Sequence, residues 1–192
     1  MNITIIDKFS LVLVVILFLI QIFRKDFLKK IIFIWKLSIL LIFLAGIFFS
    51  IHQYFLWKSD PLFKLLIPPY KSINYFLRFI GFKFFIPWGI SLAFALLLNF
   101  VTSWANKKYN ERFFEQEEIP LGSLGIFLCG WPGLLFYILV ILFLGVCLSI
   151  IYTLKNKGRA PLYYFWLPGV LIVFILKNFI LPKSFLNLLI IS

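Results

Sequence analysis

Charge is what this sequence has least of, since only 14% of its 192 residues are charged and only seven are acidic. About a quarter of the residues in a soluble domain are usually charged. Here 63% of the residues are hydrophobic, and they fall in long runs that charged residues barely interrupt. Runs of about 18–20 apolar residues are typical of membrane-spanning helices. The composition therefore excludes an ordinary soluble enzyme and predicts a polytopic membrane protein.

Histidine and cysteine are also scarce. The single histidine is His52, and the two cysteines, Cys129 and Cys147, lie within apolar runs. No group of these residues has the spacing of a metal site, so we expect no metal, cofactor or disulfide framework. The motifs of serine hydrolases, zinc proteases and nucleotide-binding enzymes are missing as well. We expect the cysteines to be apolar packing residues and His52 to lie at a membrane interface.

The charge that is present is mostly basic, giving a net charge of +12. The basic residues lie mostly between or at the edges of apolar runs, where they set membrane topology and contact anionic lipid headgroups. Nucleic acid is not an expected partner, because only short loops could track a phosphate backbone. Loops 24–36, 105–118 and 155–160 carry five, three and three Lys or Arg. We predict that they are cytoplasmic, that the N-terminus is outside, and that the membrane is a prokaryotic plasma membrane.

The apolar runs predict an all-α integral membrane helix bundle that forms a single domain over 1–192. It would have five full spans, one short limb and an interfacial segment over 58–83, where five basic residues alternate with apolar ones. The N-terminal run lacks the flanks of a signal peptide, so we expect an uncleaved anchor with Asp7 or Lys8 reaching to the interface. The full spans are predicted at 9–23, 37–56, 84–104, 133–154 and 161–181, and the short limb at 119–131.

Two features inside these runs need a structural explanation. Asn99 is a polar group within the third span, and we expect it to bond to another helix. Residues 119–154 are 36 residues without a charge, which as one helix would measure about 54 Å against a hydrocarbon core of about 30 Å. The chain must therefore turn, and the Gly-Trp-Pro-Gly sequence at 130–133 is the strongest helix breaker available.

Four of the seven acidic residues lie within eight positions, in the stretch "ERFFEQEE". Two interpretations remain open: a solvated helix end of mixed charge, or a loop that binds a partner. Acid–base chemistry by two carboxylates would have to use Asp60 and this group. The candidates for a partner-binding loop are Glu111, Glu115, Glu117 and Glu118.

The order of elements in the second half carries a family resemblance. The chain has "LLIPPYKSINYFL" at 65–77, a span, "IPLGSLGIFLCGWPG" at 119–133, another span, "KNKGR", and "APLYYFWLPGVLIV" at 160–173. Over about 60–173 this order resembles that of the type IV prepilin peptidases, which are membrane-embedded aspartyl proteases. The resemblance implies two catalytic aspartates, one near a Leu/Ile-Pro-Asp turn and one in a Gly-Asp-x-Lys motif.

Both family motifs have lost their catalytic residues. Pro69 stands where the turn has its Asp, and Ser123 and Gly125 stand where Gly-Asp-x-Lys has Asp and Lys. The family's Cys-rich N-terminal region has no counterpart. An aspartyl mechanism needs two carboxylates that share a proton. Asp60 lies one position from where the family's first Asp would fall, and we expect Glu118 to lie in a solvated linker.

The leading hypothesis is thus a non-catalytic, prepilin-peptidase-like scaffold or assembly partner, acting on pilin-like or other membrane proteins. One alternative is a small transporter or lipid-handling protein, because the broken run 119–154 resembles the discontinuous helices of transporter sites. Another is an active membrane aspartyl protease with displaced carboxylates, Asp60 and Glu118.

Overall fold

The computed structural model describes residues 5–23, 27–109, 115–116, 118–155 and 162–180, and within these ranges the protein is all α-helical. The helices are α1 (Ile5–Phe23), α2 (Ile31–Ser59), α3 (Ile73–Ile80), α4 (Ile86–Lys108), α5 (Glu118–Cys129), α6 (Gly133–Leu154) and α7 (Trp166–Ile175). Short 3₁₀ turns lie at Leu28–Lys30 and Phe63–Leu66, and π-helical turns at Gly81–Phe85 and Leu176–Ile180. The predicted fold class is confirmed.

In the part of the chain that the structure describes, four helical segments are long and apolar enough to cross a membrane: Ile5–Phe23, Ile31–Ser59, Ile73–Lys108 and Gly133–Leu154. These helices are those of a multi-pass integral membrane protein. The last predicted span differs from the expectation, because its apolar helix begins only at Trp166. The third also differs: α3 and α4 are joined by the π-helical turn into one 36-residue helix, so it starts well before residue 84.

Contacts between distant helices define two ends of the bundle. At one, which we call the basic end, Gln21 Nε2 donates a hydrogen bond to the Tyr163 carbonyl at 3.0 Å. At the other, the turn end, Ser10 Oγ donates to the Leu128 carbonyl at 2.7 Å and Asp7 pairs with Lys177. Helix α1 therefore runs from the turn end to the basic end, and α7 runs the opposite way.

Helix α5 lies at the centre of the bundle. All of its 12 residues are buried, and it contacts α1, α2, α4, α6 and α7. Helix α5 corresponds to the short limb predicted at 119–131. The described helices enclose it, so it is surrounded by protein. A helix of this length spans only about 18 Å, and burial in protein removes the need for a full crossing.

The predicted turn at 130–133 is confirmed. Helix α5 ends at Cys129, α6 begins at Gly133, and Gly130 has φ +61° in the left-handed region. The Trp131 N–H donates to the Pro87 carbonyl at the start of α4, at 3.3 Å. The turn is thereby tied to the helix beside it, and α5 and α6 form an antiparallel hairpin.

Because of its positive φ, Gly130→Ala is expected to destabilise the protein by about 1–2 kcal/mol. A Cβ there would also lie 3.3 Å from the Trp88 ring. Gly133→Ala is the matched control, because its Cβ would make only ordinary contacts, the nearest at 3.5 Å. Thermal unfolding of the purified protein in one detergent would compare the two. Equal effects would argue against the left-handed turn.

Helix α2 continues past the turn end and forms a projecting arm with residues 47–80. Gly46 packs against Phe85 and Ile6, and the 13 residues that follow to Ser59 add about 20 Å. The arm has its own small core, in which Trp57 packs against Phe76 and Phe79 with ring centroids 5.3 and 4.7 Å apart. Within the predicted interfacial segment 58–83, the short helix α3 follows the Pro68-Pro69 turn.

Candidate functional site

The predicted carboxylate pair is not brought together. Asp60 follows α2 at the far end of the arm, whereas Ile119, next to Glu118, lines a cavity together with Trp35 near the start of α2. Trp35 and Asp60 are 25 positions apart along one helix, which corresponds to about 38 Å. Two carboxyl groups must lie within a few ångströms to share a proton. Asp60 and Glu118 therefore form no acid–base pair in this structure.

Each of these carboxylates has a local structural role. Asp60 Oδ1 accepts the backbone N–H groups of Leu62 and Phe63, at 2.8 and 3.2 Å, and so caps the turn that follows α2. Glu118 Oε2 accepts the N–H of Glu115 at 3.3 Å. The expectation that Glu118 lies in a solvated linker is wrong, because the residue is only 2% exposed in the first turn of α5.

The candidate partner-binding loop is only partly described. Glu111 and Glu117 lie outside the described residues. Glu115 is exposed, and Glu118 is buried. Of the two described glutamates, Glu115 alone presents its side chain to a partner at the surface.

The family-motif positions within α5 are packing positions. Ser123 is fully buried, and its hydroxyl donates to the Ile119 carbonyl of the same helix at 3.0 Å. A Cβ at Gly125 would overlap the Tyr137 hydroxyl of α6, which donates to the Trp166 carbonyl at 3.1 Å. Pro69 lies exposed in the arm, far along the chain from α5. Within the described part of the chain, Ser123 and Gly125 are both enclosed by packed side chains.

A buried ion pair was missed by the sequence analysis. Asp7 on α1 and Lys177 after α7 lie 3.3 Å apart, with each side chain 6% exposed. Of the two residues expected to reach to the interface, Asp7 does not, because its side chain turns inward and joins the first helix to the last, whereas Lys8 is exposed. Charged residues in apolar helices usually pair within the bundle. This rule could have predicted the ion pair from the sequence.

A cavity of about 410 Å³ lies at the basic end, between the start of α2, the end of α4 and the start of α5. It is lined by polar side chains on one side, with Trp35 and other apolar groups around them. Asn99 was expected to bond to another helix, but its side chain has no such partner among the described residues and faces this cavity. The lining residues are Ile32, Trp35, Asn99, Ser103, Asn106, Lys107, Gln116, Ile119 and Pro120.

Metal chemistry finds no support in the part of the chain that the structure describes, where no three His, Cys, Asp or Glu side chains are grouped to hold an ion. No protein-family model matches the chain, and neither a curated protein nor a solved structure is significantly similar to it. A proposed function therefore rests on the positions and contacts of the described residues.

Proposed function

We propose that this multi-pass membrane protein is a non-catalytic assembly partner, built on a plan like that of the prepilin peptidases. The observation that carries the proposal is the packing of α5. By the sequence resemblance, Ser123 and Gly125 stand where the prepilin peptidases have their catalytic Asp and Lys. Both residues are enclosed by neighbouring helices. A segment used in this way positions other helices and does not activate water.

The surface on which a partner helix would pack is provided by α6. In its most apolar window only 11% of the residues are buried, the smallest share among the four candidate spans. The exposed side chains recur at helical spacing and form one apolar stripe. An apolar membrane-spanning helix of an assembly partner would suit such a stripe. The stripe consists of Leu139, Leu142, Phe143, Val146 and Ile150.

The test uses purified full-length protein in vesicles with a synthetic peptide that joins a basic leader to an apolar pilin-type helix. A photo-crosslinking side chain replaces Phe143, which is 68% exposed, or Leu134, which is fully buried, as the control. We expect an adduct with the intact peptide at position 143 and none at 134. Mass spectrometry of the same sample reports whether the leader was cleaved.

Two outcomes would contradict this proposal. One is cleavage of the leader that disappears in Asp60→Asn or Glu118→Gln, since this would restore the aspartyl protease alternative. The other is equal crosslinking at both positions, or none at either. A scrambled peptide of the same composition controls for nonspecific partitioning into the bilayer.

A further inference from the structure

The cavity at the basic end has the chemistry of a binding site within an otherwise apolar bundle. Asn99, Ser103 and Asn106 follow the spacing i, i+4, i+7 on α4, so they lie along one face. All three line the cavity, together with Lys107. Polar side chains within membrane helices are costly and usually serve function. A stripe of two amides, a hydroxyl and an amine is more than helix packing requires.

Several of these groups have their hydrogen-bonding capacity unused. The Trp35 indole N–H is buried and has no acceptor in the described part of the chain. The Asn99 amide, the Ser103 hydroxyl and the Lys107 amine likewise have no side-chain hydrogen bond or ion pair with described residues. An unsatisfied buried donor costs about 1–3 kcal/mol, a cost that applies to the Trp35 indole. Asn99 and Ser103 are half-buried and Lys107 is exposed, so each can donate a hydrogen bond to a ligand in the cavity.

The charge around the cavity selects the sign of the ligand. Lys107 lines it, and the exposed Lys29 and Lys30 lie at the same end of the bundle. The Glu118 carboxylate is not part of the lining and accepts the N–H of Glu115. Among the described lining residues there is no carboxylate, although the exposed Glu115 lies next to the lining Gln116. The lining donors and the Lys107 amine favour a phosphate oxygen.

The apolar part of the lining indicates that the ligand is an amphiphile. Ile32, Trp35, Ile119 and Pro120 face the polar stripe across the cavity. Its volume of about 410 Å³ lies within the range of small-ligand sites, about 300–1,000 Å³. Tryptophan and lysine beside apolar helix surface are typical of the level of lipid headgroups.

We infer that this cavity binds the phosphate and the first acyl carbons of one anionic phospholipid. The Asn99 and Ser103 side chains donate to the phosphate oxygens, and Lys107 balances the charge. Ile32 and Ile119 contact the glycerol and the start of a chain. This inference does not depend on the scaffold proposal, because it concerns a cavity that a partner helix on α6 would not cover.

Native mass spectrometry of the purified full-length protein tests this inference, with dioleoyl phosphatidylglycerol, dioleoyl phosphatidylcholine and inorganic phosphate as separate probes. We expect one phosphatidylglycerol to be retained in preference to phosphatidylcholine. Ser103→Leu, which fills the cavity, and Lys107→Gln should each weaken retention about tenfold. Trp35→Phe, which removes the indole N–H and one ring of the aromatic wall of the cavity, should weaken it severalfold.

The matched controls lie on the same helix. Thr102→Val removes a hydroxyl that bonds to the backbone of its own helix at Leu98, and Lys108→Gln removes a lysine that lies over the Trp104 ring. Both should retain the lipid like the unaltered protein. Equal retention by all variants, or several equivalent lipids per protein, would overturn the inference. Displacement by millimolar inorganic phosphate would overturn the lipid as the source and assign the site to free phosphate.

Discussion

Gly125→Ala is expected to destabilise the bundle by about 2–4 kcal/mol, because it places a methyl group where the Tyr137 hydroxyl lies. Tyr137 is 1% exposed, and its hydroxyl donates to the Trp166 carbonyl. The side chain is therefore fixed both by the surrounding packing and by this hydrogen bond. If the Tyr137 side chain moved to relieve the overlap, this hydrogen bond, worth about 1 kcal/mol, would be lost. The measurement is thermal unfolding in detergent, with an expected loss of about 10 °C.

Gly89→Ala is the matched control for this substitution. Gly89 lies in α4, where a Cβ would meet nothing within 4 Å. Removing a helical glycine there should be neutral or stabilising by up to about 1 kcal/mol. A Tyr137→Leu replacement should partly rescue Gly125→Ala in a double-mutant cycle. Equal stabilities of Gly125→Ala and Gly89→Ala would show that α5 does not pack against α6 as described.

Asp7→Leu is expected to be at least as damaging, because it leaves the Lys177 amine beside an apolar group. The two side chains are each 6% exposed. Removing one partner of a buried ion pair costs about 3–5 kcal/mol, whereas replacing both by apolar residues is often neutral. Asp7→Leu with Lys177→Leu should therefore recover most of the lost stability. Resistance to proteolysis and the unfolding temperature would report both effects.

The neighbouring exposed Lys8 supplies the control for the ion pair. Lys8→Leu should leave the unfolding temperature nearly unchanged. If Asp7→Leu were as mild as Lys8→Leu, the pair would not join the first and last helices. If the double variant were no better than Asp7→Leu alone, the cost would arise from lost packing and not from an unpaired charge.

Much of the architecture follows from the sequence because the membrane constrains it. Apolar runs longer than about 18 residues must be helical. The turn at 130–133 follows from the length of the uncharged run and from Pro132. These features depend on local chain chemistry and on length.

The errors lie where a residue's neighbours come from distant parts of the chain. A hydropathy pattern does not show which helices contact each other, so it could not predict that five other helices enclose α5. Asp7 and Lys177 are 170 positions apart, and nothing local distinguishes an inward carboxylate from one that reaches to the interface. The helical spacing of Asn99, Ser103 and Asn106 can be read from the sequence. The cavity beside these residues cannot, because it also needs residues of α2 and α5.

Ser123 lies in the buried core of the helix bundle, and Asp60 and Glu115 lie at opposite ends of the molecule. This arrangement is tested by labelling single cysteines with a membrane-impermeant maleimide in oriented vesicles, after Cys129 and Cys147 are replaced by alanine. We expect Asp60→Cys to react from one side only, Glu115→Cys from the other only, and Ser123→Cys from neither. Labelling of Ser123→Cys, or of Asp60→Cys and Glu115→Cys from the same side, would contradict the account.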